Sequence, residues 1–112
     1  MIHSLSEKAT ADQVSEMLDM HGDMIKLVVD IRRGLLAGGA DMYYECEDVL
    51  LENGSEQDDL WGANWYPVNE RIEFESLINI RPRLGNRGMV IQNADIRKEV
   101  EAVTRRILGG IV

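Results

Sequence analysis

The sequence predicts an α+β fold: a mostly antiparallel sheet of about four strands, packed with an N-terminal and a C-terminal helix and with a further helix over residues 41–52. Three stretches carry that expectation. Residues 71–81 alternate Ile72, Phe74, Ser76, Ile78 and Ile80 with Glu73, Glu75, Leu77, Asn79 and Arg81, the period of two of a half-buried strand. Residues 24–31 place Ile25, Leu27, Val29 and Ile31 on one face of a run dense in β-branched side chains. Residues 94–108 repeat Ile96, Val100, Val103 and Ile107 at helical spacing.

Taken in order, residues 1–5 read as an edge strand or a loose arm. Thr10 and Gln13 form the cap of a short helix whose apolar side is Val14, Met17 and Leu18, with Gly22 as its stop. After the strand at 24–31, Asp30 opens and Gly34 closes a tight reversal, and 34–38 returns as the second arm of a hairpin. Over 41–52 the helical reading puts Met42, Tyr43, Cys46, Val49 and Leu50 on one side, ended by Asn53-Gly54. The strand reading alternates poorly. It would make Asn53-Gly54 a hairpin turn instead.

Residues 59–66 form a strand with Trp61, Ala63 and Trp65 on its core face, joined through 67–70 to the strand at 71–81 as an antiparallel hairpin. Pro82 ends that strand, because it has no N–H to give to a ladder and keeps Arg81 extended. Residues 89–91 offer one more short strand. The final helix is capped by Asn93, carries Asp95 in its first turn and Arg105 and Arg106 in its last, and stops at Gly109-Gly110.

A chain of 112 residues fits a single globular domain, 1–112, that buries roughly two thirds of the surface its unfolded form exposes. No apolar run is long enough to cross a bilayer, and residues 1–20 lack the basic start and apolar stretch of a secretory signal. A lone cysteine, Cys46, excludes an internal disulfide, and these features together predict a cytoplasmic protein. The net charge of −8 argues against nucleic acid as a partner, because it opposes phosphate backbones at long range. That charge is unevenly placed. Residues 1–70 hold 4 basic and 15 acidic side chains, and residues 71–112 hold 8 basic and 5 acidic.

The basic part supplies the candidate site. Asn79 and Arg81 share one row of the strand, Arg83, Asn86 and Arg87 follow within one turn, and Asn64 on the paired strand extends the group if the register places it alongside. Guanidinium forks hold carboxylates or phosphates, and an amide fixes their orientation, so this chemistry suits a small anion or an acidic protein partner. The competing reading pairs these arginines with Glu73, Glu75 and the acidic segment at 45–59, leaving nothing to bind.

Other chemistry is absent. The carboxylates from Glu45 to Asp59 lack the spaced ligands and central glycine of a calcium loop, and His3, His21 and Cys46 do not have zinc-ligand spacing. Cys46 lies among Glu45, Glu47 and Asp48, which oppose a thiolate, so it reads as a buried structural thiol. Gly38-Gly39 is followed by neither the lysine nor the hydroxyl residue of a phosphate loop, and no cofactor signature is present.

The residues Val28-Val29-Asp30, Gly38-Gly39, Gly54-Ser55, Gln57, Leu60-Trp61-Gly62-Ala63-Asn64, Ser76-Leu77-Ile78-Asn79-Ile80-Arg81-Pro82 and Asn86-Arg87 resemble a family of small prokaryotic proteins defined as a domain of unknown function. The resemblance implies one domain over almost the whole chain and brings no activity or cofactor. Tyr43 and Gly88 stand where members of that family often carry histidine and serine.

Two functional readings follow. The favoured one is a non-enzymatic binding or regulatory module, self-associating as a homo-oligomer in one version, with Asn64, Asn79, Arg81, Arg83, Asn86 and Arg87 as its anion-recognition surface. The alternative is a small hydrolase or transferase acting on a phosphorylated substrate, with Asp30, Glu45 or Glu47 as base or metal ligand.

Overall fold

Eleven short elements are present in a computed structural model that describes residues 1–111. They are β1 (His3–Leu5), α1 (Ala11–Leu18), β2 (Ile25–Asp30), β3 (Leu35–Gly38), α2 (Tyr43–Glu52), a 3-10 turn (Gln57–Asp59), β4 (Leu60–Tyr66), β5 (Arg71–Glu73), two further 3-10 turns (Leu77–Asn79 and Pro82–Leu84) and α3 (Ala94–Leu108). The strands form one antiparallel sheet in the order β1-β3-β2-β4-β5. The α+β class holds, with five strands rather than about four, because residues 3–5 are an edge strand on β3.

Alternation along β2 and β4 separates two apolar layers. On one face Ile25, Leu27, Val29, Trp61, Ala63 and Trp65 pack against Val14 and Met17 of α1 and Val100, Val103 and Ile107 of α3. On the other, Val28, Ala37 and Leu60 meet Cys46 and Leu50 of α2. The helix reading of 41–52 is therefore the correct one. Local chemistry fixes the helix ends: Thr10 and Gln13 form a reciprocal capping box, Glu45 accepts from the Met42 N–H, and Asn93 Oδ1 accepts from the N–H groups of Asp95 and Ile96.

The strand at 71–81 is shorter than its pattern implies. Only Arg71–Glu73 pairs with β4, in the register Asn64↔Glu73, Trp65↔Ile72 and Tyr66↔Arg71. Beyond it the chain lifts off the ladder, and Ser76 seats against Gly62, where a β-carbon would lie 2.5 Å from the serine side chain. The edge of β4 at Gly62 is instead completed by a side chain. Asn79 Oδ1 accepts from Gly62 N–H at 2.8 Å and its Nδ2 donates to Gly62 O at 3.0 Å, reproducing both bonds of a strand partner.

The same amide also donates to Met89 O at 3.1 Å. Residues 89–91, expected as a strand, make a single bridge, Glu75↔Val90, with Ser76 N–H donating to Met89 O and Ile91 N–H to Phe74 O. The expected core row accordingly breaks down. Ile72, Phe74 and Ile78 are half-buried and Ser76 is buried, but Ile80 turns outward with 43% of its surface exposed.

Replacing Asn79 with alanine leaves the Gly62 N–H and C=O unpaired in a buried place and should lower unfolding free energy by roughly 2–4 kcal/mol. Urea denaturation checks this. Asn79→Asp should not rescue stability, because it keeps the acceptor for Gly62 N–H but points a carboxylate oxygen at the carbonyls of Gly62 and Met89.

Candidate functional site

The six residues expected to form one surface are divided by the fold into three groups. Asn79 and Asn86 are buried and fully engaged. Asn86 Nδ2 donates to Asn79 O at 2.8 Å, Gly88 O at 3.0 Å and Val90 O at 3.1 Å, while its Oδ1 accepts from Gln92 N–H at 2.9 Å. Its backbone exchanges both hydrogen bonds with Arg81 across the turn Pro82–Leu84, which Gly85 closes in the left-handed conformation at φ 80°. These two amides support the segment from beneath; they present nothing to solvent.

Asn64 lies in a different cluster. Opposite Glu73 rather than beside Asn79, it accepts the Tyr43 hydroxyl proton and donates to Glu75 O at 3.2 Å. Burial pushes the Tyr43 phenol above its ordinary value, and the Asn64 bond opposes that shift. Asn64 therefore ties α2 to the sheet edge.

Arg81 and Arg83 come together in a cleft of about 390 Å³ between α2 and the 77–83 segment. Glu47, Gln57 and Asp58 form its acidic and amide wall, and Leu77, Ile78, Ile80 and Pro82 its apolar wall. Arg81 donates through Nη2 to Glu47 at 3.2 Å, both side chains only 11% exposed, and its guanidinium carbon lies 5.1 Å from the centre of the Trp61 ring. Its Nη1 is buried without an acceptor, leaving the ring face to receive that charge. Burial lowers the Arg81 pKa, while Glu47 and Asp58 hold it up.

Arg83 pairs with Asp58, but both side chains are open to solvent. Arg87 is exposed, lies outside the cleft lining and has no ion pair among the described residues. The pairing alternative thus describes Arg81 and Arg83. The sequence pointed to the arginines and to the acidic segment at 45–59 as their competing partner; what it missed was the selection of Glu47 and Asp58 from that segment, Trp61 as a ring beneath Arg81, and the outward turn of Ile80.

Carboxylates expected as bases or ligands are mostly committed. Asp30 is fully buried, accepting from the N–H groups of Arg32 and Arg33 and from Ser55 Oγ at 2.7 Å. Glu45 caps α2, and only Glu47 reaches the cleft. Among the described residues no group of three or more His, Cys, Asp or Glu side chains is placed to hold a metal ion. No helix among them is long and apolar enough to cross a membrane.

Cys46 is buried, and burial itself rather than its acidic neighbours is the main cause that pushes the thiol up to about 11. The folded value exceeds the unfolded one, so the stability this thiol contributes is complete below the ordinary thiol pKa and is lost as pH rises towards 11. Stability should therefore fall more steeply over that window in the native sequence than in Cys46→Ala, followed by urea denaturation at each pH. A thiol reagent at pH 8 should react with Cys46 only after unfolding.

The buried pair gives a further test. Removing either partner leaves the other charge stranded, so Glu47→Gln and Arg81→Met should each destabilise by roughly 3–5 kcal/mol, and the double variant by clearly less than their sum.

The chain belongs to the family described as a protein of unknown function (DUF5674), which matches residues 3–107. No curated protein and no solved structure matches it.

Proposed function

We propose that this chain is a non-enzymatic cytoplasmic binding module whose cleft, walled by Arg81 and Arg83, takes a carboxylate-bearing segment of an acidic protein partner. The observation that carries the reading is the pairing of two unequal arginines beside an apolar wall. Arg81 is held in one orientation by Glu47 and Trp61, and that buried pair stays intact because breaking it costs several kcal/mol. The Arg83–Asp58 pair is solvent-exposed and worth about 0–1 kcal/mol, so an incoming carboxylate displaces Asp58 at little cost. Leu77 and Ile80, 63% and 43% exposed, then cover an apolar side chain of the same segment.

A bare phosphate has no apolar group for that wall to cover and finds the arginines balanced by Glu47 and Asp58, which favours an acidic peptide with apolar side chains over a small inorganic anion. The alternative reading as a hydrolase or transferase has less support, because Asp30 and Glu45 are spent on backbone donors.

Nuclear magnetic resonance titration with a short peptide alternating Glu and Leu should shift signals of residues 77–83 and of Glu47, Gln57 and Asp58. Arg83→Ala should weaken that binding about tenfold at low salt with little change in stability. Inorganic phosphate should produce much smaller shifts. Peptide shifts confined to other surfaces, or affinity unaffected by Arg83→Ala, would sink this reading.

A further inference from the structure

We infer that the partner seated on this cleft is a second copy of the same chain, related by a two-fold axis, with Asp58 of each copy as the carboxylate offered to Arg83 of the other. The inference rests on the reading of the cleft as a site for a carboxylate-bearing protein segment and names that segment.

The first support is where the exposed apolar surface lies. Half of the ten exposed large apolar side chains among the described residues, namely Leu77, Ile80, Leu84, Met89 and Val90, fall between residues 77 and 90. That segment is pinned by Asn79 and Asn86, so these side chains are displayed on a fixed backbone. Leu77 and Ile80 stand three residues apart across a 3-10 turn, which brings side chains at that spacing over one another on one side. Both line the same cleft as Arg81, Arg83 and Asp58.

The second support is charge. The whole chain carries −8, so two copies repel each other unless the surfaces that meet are locally compensated. Around this cleft Arg81 and Arg83 stand against Glu47 and Asp58, two charges of each sign. Arg81 and Glu47 are shielded and paired, so Arg83 and Asp58 offer one exposed charge of each sign, and a two-fold contact can set each Arg83 against the Asp58 of the other copy. A strongly basic foreign protein would be drawn instead to the exposed carboxylates Asp48, Glu52 and Glu56. Exchanging the two exposed Arg83–Asp58 pairs, one within each copy, for two such pairs across the axis conserves the number of pairs while Leu77 and Ile80 leave water.

Sedimentation velocity on the full chain, from about 1 µM to about 100 µM, tests this in a range where weak dimers dissociate. The expected result is a dimer that grows with concentration and weakens with salt. Arg83→Asp and Asp58→Arg should each weaken dimerisation at least about tenfold, Leu77→Asp likewise, and the combined Arg83→Asp/Asp58→Arg chain should regain it, because in a two-fold contact the reversed pair is again complementary. Circular dichroism establishes that each variant is folded. A wild-type chain monomeric throughout the range overturns the inference, as does a dimer indifferent to these substitutions or a combined variant that stays monomeric while folded. Failure here is separable from failure of the binding-module reading: a monomeric chain that still binds the Glu-Leu peptide at residues 77–83 removes only the second copy.

Discussion

The primary amide of Asn79 stands where a strand would otherwise be. Its acceptor and donor satisfy the N–H and C=O of Gly62, so the edge of β4 is completed by a single side chain and no sixth strand is needed there. Two features of the sequence permit this. Gly62 has no β-carbon, which lets Ser76 pack against the strand, and the Ser76 hydroxyl accepts from Ile78 N–H to start the turn that carries Asn79 inward. Asn86 then grips the backbone of Asn79 and passes the constraint to residues 88–92. A segment with almost no regular structure is thereby fixed by amides with few bonds left to make.

The uneven charge of the chain is resolved through contacts between its two parts. Arg81 and Arg83 from the basic part meet Glu47 and Asp58 from the acidic part, while Arg105 and Arg106 donate to the carbonyls of Glu70, Ser6 and Gly34. These contacts differ in weight. The Glu47–Arg81 pair is shielded and backed by Trp61, so its loss strands a charge, whereas the exposed Arg83–Asp58 pair contributes about 1 kcal/mol or less. The cleft therefore combines one arginine that holds its place with another that can change partner.

Local signals in the sequence identified most elements. The caps at Thr10 and Asn93 located α1 and α3, since each depends on side chains within three residues of the helix start. Alternation located β2 and β4, whose two faces meet two different apolar layers. Residues 71–81 misled because extended chain keeps a period of two whether or not a ladder continues, and nothing local announces that an asparagine six residues past Glu73 will take the partner's role. The three asparagines were grouped with the arginines for the same reason: composition shows that an amide can bind an anion, but only the tertiary contacts show it already occupied. The arginines themselves were legible because they stand within a few residues of one another. Their acidic neighbours lie about 25 and 34 positions earlier and are joined to them only by the packing of α2, which carries Glu47, and of the turn Gln57–Asp59, which carries Asp58.

Rigidity at this cleft matters energetically as well as structurally. Ordering a flexible loop on binding costs roughly 1–2 kcal/mol for each residue whose backbone is fixed, which would consume the gain from a few apolar contacts and one ion pair. In residues 77–86 that cost has already been met during folding, by Asn79, Asn86 and the Arg81–Asn86 bridge. Arg81 is likewise set before any partner arrives. Under the proposed reading, association would only have to cover Leu77 and Ile80 and re-pair Arg83, groups already in place. The buried amides thus act at the cleft without lining it, by holding a small and partly charged surface in one conformation.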